Sequence, residues 1–218
     1  MAQDTTRNEK IMKTKKEYWN SIFSKQPDSE LGWHEDDISQ TLKFLDQIPQ
    51  DEIATVFLPG AGTSLLIDEL VSRGHQLILN DISDDALNKL KSRVGTNSKL
   101  SWLHHDISSP LSKEALSADI WIDRAVLHFL LDEADIQGYF ENLRSVLKLG
   151  GYALMAEFST RGARKCAGLE LRRYSIEEMT RRMGPGFELL ESEDYTYINP
   201  AGEPRPYIYA LYKRHDAC

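Results

Sequence analysis

Apolar residues recur along this chain in two rhythms. At Tyr18, Trp19, Ile22 and Phe23 the spacing predicts one face of a helix over 14–24. Leu42, Leu45 and Ile48 predict a second helix from about Ser39 to Ile48, closed by Pro49. A turn at Gln26-Pro27-Asp28 separates the two. From Ala54 onward, short apolar runs alternate with helical stretches. Ala54–Leu58 reads as a buried strand, 65–72 as a helix closed by Gly74, and Leu77–Leu79 as a second strand. Ser83 is placed to cap the next helix, with Asp84 and Asp85 at its positive end. Leu100–Leu103 and Ile120–Ile122 read as the third and fourth strands. Ile136, Phe140, Leu143 and Leu147 mark an amphipathic helix expected to stop at Gly150-Gly151. Tyr152–Phe158 is a fifth strand. Ser175 and Glu178 form a capping-box pattern that opens one more helix. Two late strands are expected near Phe187–Leu190 and Tyr207–Tyr212.

Strands alternating with helices imply βαβ units. The fold class expected is α/β: a Rossmann-like, doubly wound, mostly parallel sheet of seven strands. The last two strands lie close together with no long helix between them, so the final strand is expected to be antiparallel. A chain of 218 residues suits a single domain. The helical segment 1–50 precedes the alternating region 51–218, and its first dozen residues are polar and read as loose.

Composition narrows the partners. Apolar residues make up 41%, enough for a sizeable core, and the net charge of −8 gains little from phosphate electrostatics, which disfavours nucleic acid. The basic cluster Arg161, Arg164, Lys165, Arg172 and Arg173 is the exception; solvation is its bland reading. Two cysteines, Cys166 and Cys218, make no disulfide framework or CxxC metal signature. His104 and His105 would point to opposite faces of a strand, a poor metal pair, so no metal is expected. The polar N-terminus and the lack of a long apolar stretch imply neither export nor a membrane partner, leaving the cytoplasm as the expected location.

The first strand runs directly into Pro59-Gly60-Ala61-Gly62-Thr63-Ser64. Glycines there let the backbone approach a ligand, and the helix that follows offers unpaired N–H groups. The position three after Gly62 is Leu65, so the full dinucleotide fingerprint is absent, and a structural tight turn also explains the glycines. Asp81 ends the second strand, where a carboxylate can accept two hydrogen bonds from a ribose diol or cap the Ser83 helix. Asp106 ends the third strand. In a doubly wound sheet these strand ends line one crevice, so Gly60, Gly62, Asp81 and Asp106 are expected to face one ligand.

In this order of features the chain resembles the class I methyltransferases that use S-adenosyl-L-methionine. The resemblance covers about Tyr18 to Arg214. It implies that Gly60, Gly62 and Thr63 cradle the methionine part of the cofactor, that Asp81 binds ribose, that Ile82 packs on adenine, and that Asp106 and Ile107 flank the adenine amine. Segments 123–130, 165–169 and 173–175 look like a bacterial subgroup near the thiopurine- and tellurite-methyltransferase-like enzymes. Where the family usually carries an acid for the cofactor's amino group, two positions before the first glycine, this chain has Leu58. A backbone carbonyl near Gly60, or Arg124, is the replacement considered. The N-terminal segment of the family commonly folds over the pocket, which makes 1–50 a lid and Trp33 a candidate to pack on the sulfonium. Trp19 reads as core.

Methyl transfer from a sulfonium is an in-line displacement that needs alignment and exclusion of water, and a base if the nucleophile carries a proton. His128, after the fourth strand, is a candidate base, with a backbone-bonded helix-start histidine as the equal alternative. Asp123 is the other candidate catalytic residue, with a structural ion pair as its stronger reading. The function expected is methylation of a small soft nucleophile, a thiol or related chalcogen compound. Protein lysine N-methylation and non-catalytic cofactor binding are the alternatives. A nicotinamide oxidoreductase is disfavoured by the missing third glycine. A monomer or homodimer is expected.

Overall fold

The computed structural model describes residues 14–49, 53–112 and 116–216. The loose segment expected at 1–12 and the terminal Cys218 lie outside them. In chain order the elements are α1 (Lys15–Lys25), α2 (Ser39–Leu45), β1 (Thr55–Leu58), α3 (Leu66–Ser72), β2 (Gln76–Asp81), α4 (Asp84–Val94), β3 (Leu100–His104), β4 (Ala118–Arg124), α5 (Glu133–Val146), β5 (Leu147–Phe158), β6 (Lys165–Cys166), β7 (Leu169–Glu170), α6 (Ile176–Met183), β8 (Phe187–Ile198) and β9 (Pro204–Arg214).

Seven strands form one sheet in the order β3-β2-β1-β4-β5-β9-β8. Pairings from β3 to β5 are parallel, and β9 runs antiparallel between β5 and β8. The doubly wound α/β sheet with an antiparallel last strand is therefore as the alternation predicts. Strand order reverses at β1/β4, which opens a crevice at the carboxyl edge.

Period-two alternation divides the core into two layers. Val56, Leu58, Leu77, Leu79, Ile120 and Ile122 face the side covered by α2, α3 and α4. Phe57, Ile78, Trp121, Ala153 and Met155 face α5 and α6. Phe57 and Trp121 stack at 4.5 Å between ring centroids, and the Trp121 indole N–H donates to the Tyr139 hydroxyl at 3.0 Å. Rings of this size carry much of the burial energy, and the polar atom of each finds a partner.

Caps follow the sequence. Thr14 and Glu17 form a capping box on α1, and the Ser83 and Ser175 side chains accept from the third residue beyond on α4 and α6. Several boundaries differ from expectation: α2 stops at Leu45 rather than Ile48, and β8 and β9 run on to Ile198 and Arg214. The helix read as ending at Gly150-Gly151 stops at Val146, and both glycines lie inside β5. Leu147 keeps the apolar rhythm but already pairs with Ala118 across the sheet. The stretch Ser159–Leu171, between the fifth strand and the Ser175 helix, contains the β6/β7 hairpin, which no apolar period marks. Among the described residues no helix is long and apolar enough to cross a membrane.

Candidate active site

The carboxyl ends of β1, β2 and β4 and the loop after β3 border a cavity of about 570 Å³. Beside it is a smaller pocket under residues 31–35, and Trp33, Gly60, Gly62 and Arg124 border both.

The glycine turn sits where two chain segments nearly touch. Gly60 has φ +51°, and a Cβ there would lie 2.3 Å from Val126 Cγ2. No side chain fits that position without moving β4's exit. Gly62, at φ +54°, donates its N–H to Asp81 Oδ2 at 2.8 Å. Asp81 Oδ1 accepts from Ser83 N at 2.8 Å. Each carboxylate oxygen keeps a further acceptor site, and Asp81 borders the large cavity. The two readings of Asp81, loop anchor and ligand acceptor, are thus compatible. Burial pushes its carboxyl up to about 6, against the opposing pull of the Ser83 and Gly62 N–H groups.

Asp106 and Ile107 reach the cavity from the loop after β3. Asp106 Oδ1 accepts from Ser108 N and Oγ, at 3.0 and 2.7 Å. The loop is seated on α5, because Gly138 leaves room for Ser108: a Cβ there would fall 2.1 Å from the Ser108 carbonyl oxygen. Ile82 borders the cavity next to Asp81. Thr63 is buried and borders only the smaller pocket.

The roof is aromatic. Trp19 packs edge-to-face on Phe129 at 4.8 Å and on Trp33 at 5.6 Å, and Phe23 meets Trp33 at 6.0 Å. Trp19, read from its helical face as core, borders the cavity as Trp33 does. The Tyr18 hydroxyl donates to the Ala167 carbonyl, which ties α1 to the β6/β7 hairpin across the opening.

Asp123 and His128 lie behind this wall. Neither borders the cavity, and both are fully buried. Asp123 accepts from Val126 N, Leu127 N and the Tyr139 hydroxyl, at 3.0, 3.2 and 2.5 Å. It fixes the turn at Ala125, a non-glycine residue at φ +71°. The ion pair with Arg124 considered for it is not formed; Arg124 points to the opposite side of β4. His128 Nδ1 lies 2.6 Å from Glu157 Oε2, which also accepts the His128 backbone N–H at 3.1 Å. Burial holds the imidazole down to about 3 and pushes the Glu157 carboxyl up to about 8. Burial thus favours the neutral form of each partner, and neither His128 nor Glu157 borders the cavity.

Sequence reasoning missed Glu35, Tyr18 and Phe129. Phe129 had a usable signal, since it sits one turn beyond the β4 end. Glu35 had none: it lies in a loop far from the motif. The basic cluster is largely paired. Arg161 meets Asp194, Lys165 meets Glu170, and Arg172 meets Glu133 and Glu178.

The donors and acceptors present fit a nucleoside carrying an amino-acid tail. The Asp81 carboxylate and the aliphatic walls of Ile82 and Ile107 stand at one end, and the glycine turn with buried Arg124 nitrogens lacking aligned acceptors stands at the other.

Comparison with known proteins agrees. Residues 58–155 match a family model described as a methyltransferase domain. No curated protein matches the sequence significantly. Among solved structures, a SAM-dependent methyltransferase from Anabaena variabilis superposes with a TM-score of 0.72 at 16% identity, covering 92% of this chain and 93% of its own. A structure described by the conversion of a disulfide bond into a thioacetal group during echinomycin biosynthesis gives 0.71 at 15% identity, with the same coverage of 92% and 93%. The 1,6-didemethyltoxoflavin-N1-methyltransferase of Burkholderia thailandensis, with bound 1,6-didemethyltoxoflavin and S-adenosylhomocysteine, gives 0.65 at 16%, covering 89% and 81%. The family match spans the glycine turn and the strand ends that border the cavity, so residues 58–155 carry a methyltransferase domain, on a fold shared with S-adenosylmethionine-dependent methyltransferases.

Proposed function

We propose that this enzyme methylates a small, soft acceptor, a thiol or related chalcogen compound. The observation that carries this is the chemistry of the roof: Trp19, Phe23, Trp33 and Phe129 form it, and the candidate base His128 is walled off behind β4. Polar side chains that do border the cavity are engaged elsewhere. Lys15 pairs with Asp135, Glu170 with Lys165, and a ring nitrogen of His105 meets the Ser109 carbonyl. A thiol ionises near pH 8.5 and needs little help from a base.

Bound S-adenosylmethionine supplies an electrophilic methyl group on a sulfonium. The chain's own residues then bind, orient and dry the site. Gly60 and Gly62 let the backbone close on the tail, with Thr63 beside them. Asp81 accepts the ribose hydroxyls. Ile82 and Ile107 sandwich the adenine, and Asp106 takes its amine. The aromatic roof faces the sulfonium and excludes water. The segment 1–50 acts as the lid, its described part 14–49 tied to the hairpin through Tyr18.

The structural relative from echinomycin biosynthesis, described by conversion of a disulfide bond into a thioacetal, supports the reading, as does the resemblance to the thiopurine- and tellurite-type subgroup. The closed lid disfavours a protein lysine, which needs an open groove. A ring nitrogen, as in the Burkholderia enzyme, is the second reading, because flat aromatic walls also suit a heterocycle. The test is a panel of thiols, selenols, heteroaromatic amines and lysine peptides, with S-adenosylhomocysteine release and product mass as readouts. Turnover on thiols or selenols is expected. Turnover confined to lysine peptides overturns the proposal, and turnover confined to heterocycles selects the second reading.

A further inference from the structure

The position before the glycine turn holds Leu58, which is buried and apolar and leaves the cofactor's ammonium without the usual acid. The smaller pocket supplies one from elsewhere in the chain. Glu35 borders it together with Leu58, Gly60 and Arg124, and only 8% of its side chain is exposed. Its Oε1 lies 2.7 Å from Arg124 Nη2. That contact is close but poorly aligned: neither Nη2 nor Nε of Arg124 has an acceptor in hydrogen-bond geometry, although both are buried. Arg124 Nη1 is committed to the Trp33 carbonyl at 2.8 Å, so the guanidinium is fixed to the same loop that carries Glu35. The Tyr197 and Tyr207 rings, 5.1 and 5.5 Å away, hold its face.

Two opposite charges thus meet in a dry pocket at the tail end of the cofactor cavity, with donors left over. An isolated buried pair of this kind is costly unless further hydrogen bonds complete it. An amino-acid zwitterion carries the matching charges, one ammonium and one carboxylate. We infer that Glu35 takes the α-ammonium of S-adenosylmethionine and Arg124 its α-carboxylate, so that the lid itself supplies the acid that Leu58 replaces in the strand. This rests on the cofactor assignment. Bound tail and closed lid then stabilise one another, since Glu35 and the Trp33 carbonyl both belong to the lid. Burial raises the Glu35 carboxyl in the free protein, and a bound ammonium would pull it back down.

The experiment is calorimetry with three ligands that differ only in the tail. S-adenosylhomocysteine has both charges, 5′-deoxy-5′-(3-aminopropylthio)adenosine keeps only the ammonium, and 5′-methylthioadenosine has neither. For Glu35→Gln, at least about tenfold weaker binding is expected for the first two and no change for the third, as for loss of a charge-assisted pair. For Arg124→Gln, the loss is expected for S-adenosylhomocysteine alone. Equal loss of all three ligands in Glu35→Gln makes Glu35 a lid strut and overturns the inference, as does no loss at all. Should Glu35→Gln not fold, Glu35→Asp must reproduce the ligand-dependent loss, because one missing methylene withdraws the carboxylate. Wild-type protein that binds none of the three would refute the cofactor assignment instead.

Discussion

Asp81 and Asp123 look alike and do different things. Both are buried carboxylates at the carboxyl ends of strands that flank β1, and both accept two backbone N–H groups. Asp81 shares its face of the sheet with Leu77 and Leu79 and opens onto the cavity. Asp123 shares its face with Trp121 and is turned toward Tyr139 of α5 and Glu157 of β5, away from the cavity. One aspartate organises the site from within it. The other braces the turn at Ala125 from behind. A strand-end carboxylate is thus a ligand group only when the alternation points it toward the crevice.

The comparison can be broken by swapping costs, and the largest effect is expected where the glycine turn held by Asp81 meets the Ala125 turn held by Asp123. Gly60→Ala drives a methyl group into Val126 Cγ2 at a left-handed φ. Binding of S-adenosylhomocysteine should fall by about a hundredfold or more, and Val126→Ala should restore part of it. Unchanged affinity in Gly60→Ala would mean that the turn does not touch the cofactor.

Next come the aspartates themselves. Asp81→Ala should weaken S-adenosylhomocysteine about ten- to a hundredfold by titration calorimetry. Asp123→Ala should leave affinity within about threefold but cost about 3 kcal/mol in chemical denaturation, because the Tyr139 hydroxyl and two N–H groups lose their acceptor. The reverse pattern would exchange the two roles.

His128 sharpens the same contrast between front and back. With its imidazole sealed against Glu157, His128→Gln should lower the melting temperature while leaving the pH profile of kcat unchanged. Loss of a neutral-pH limb would restore it as a base.

The smallest effect is electrostatic. If Asp81 accepts the ribose hydroxyls as proposed, it does so in its ionised form, and its carboxyl sits at about 6. Affinity should therefore decline below pH 6, by at most tenfold per unit, and Asp81→Asn should flatten the decline. For the free protein the sign is opposite. A carboxyl raised by folding favours the folded state most at pH below its unfolded value near 4, and that contribution fades as pH rises through about 6. A melting-temperature series from pH 4 to 7, with Asp81→Asn beside wild type, reads this directly.

Much of this was legible in the sequence. The alternation of short apolar runs with amphipathic stretches marks the presence of every long strand and helix, and the strand ends put Gly60, Gly62, Asp81 and Asp106 on one edge. Several boundaries were not legible. Gly150-Gly151 looks like a helix stop, yet sheet pairing of Leu147 ends α5 earlier. The β6/β7 hairpin is only two residues per strand, too short for any period to show.

The candidate base and the lid mark the limit. His128 and Arg124 are both polar residues just after or at the end of β4, and nothing local distinguishes them. Strand alternation and the left-handed turn at Ala125 send one inward to Glu157 and the other to the pocket beside Glu35. Glu35 and Leu58 are 23 positions apart, 58 − 35, and become neighbours only because the lid loop folds across the β1 end. The sequence by itself determined the sheet, its polarity and the ligand-facing edge, because hydrophobic period and turn chemistry are local. Only the tertiary structure decided which polar groups face the cavity, because that depends on packing between segments that no local rule connects.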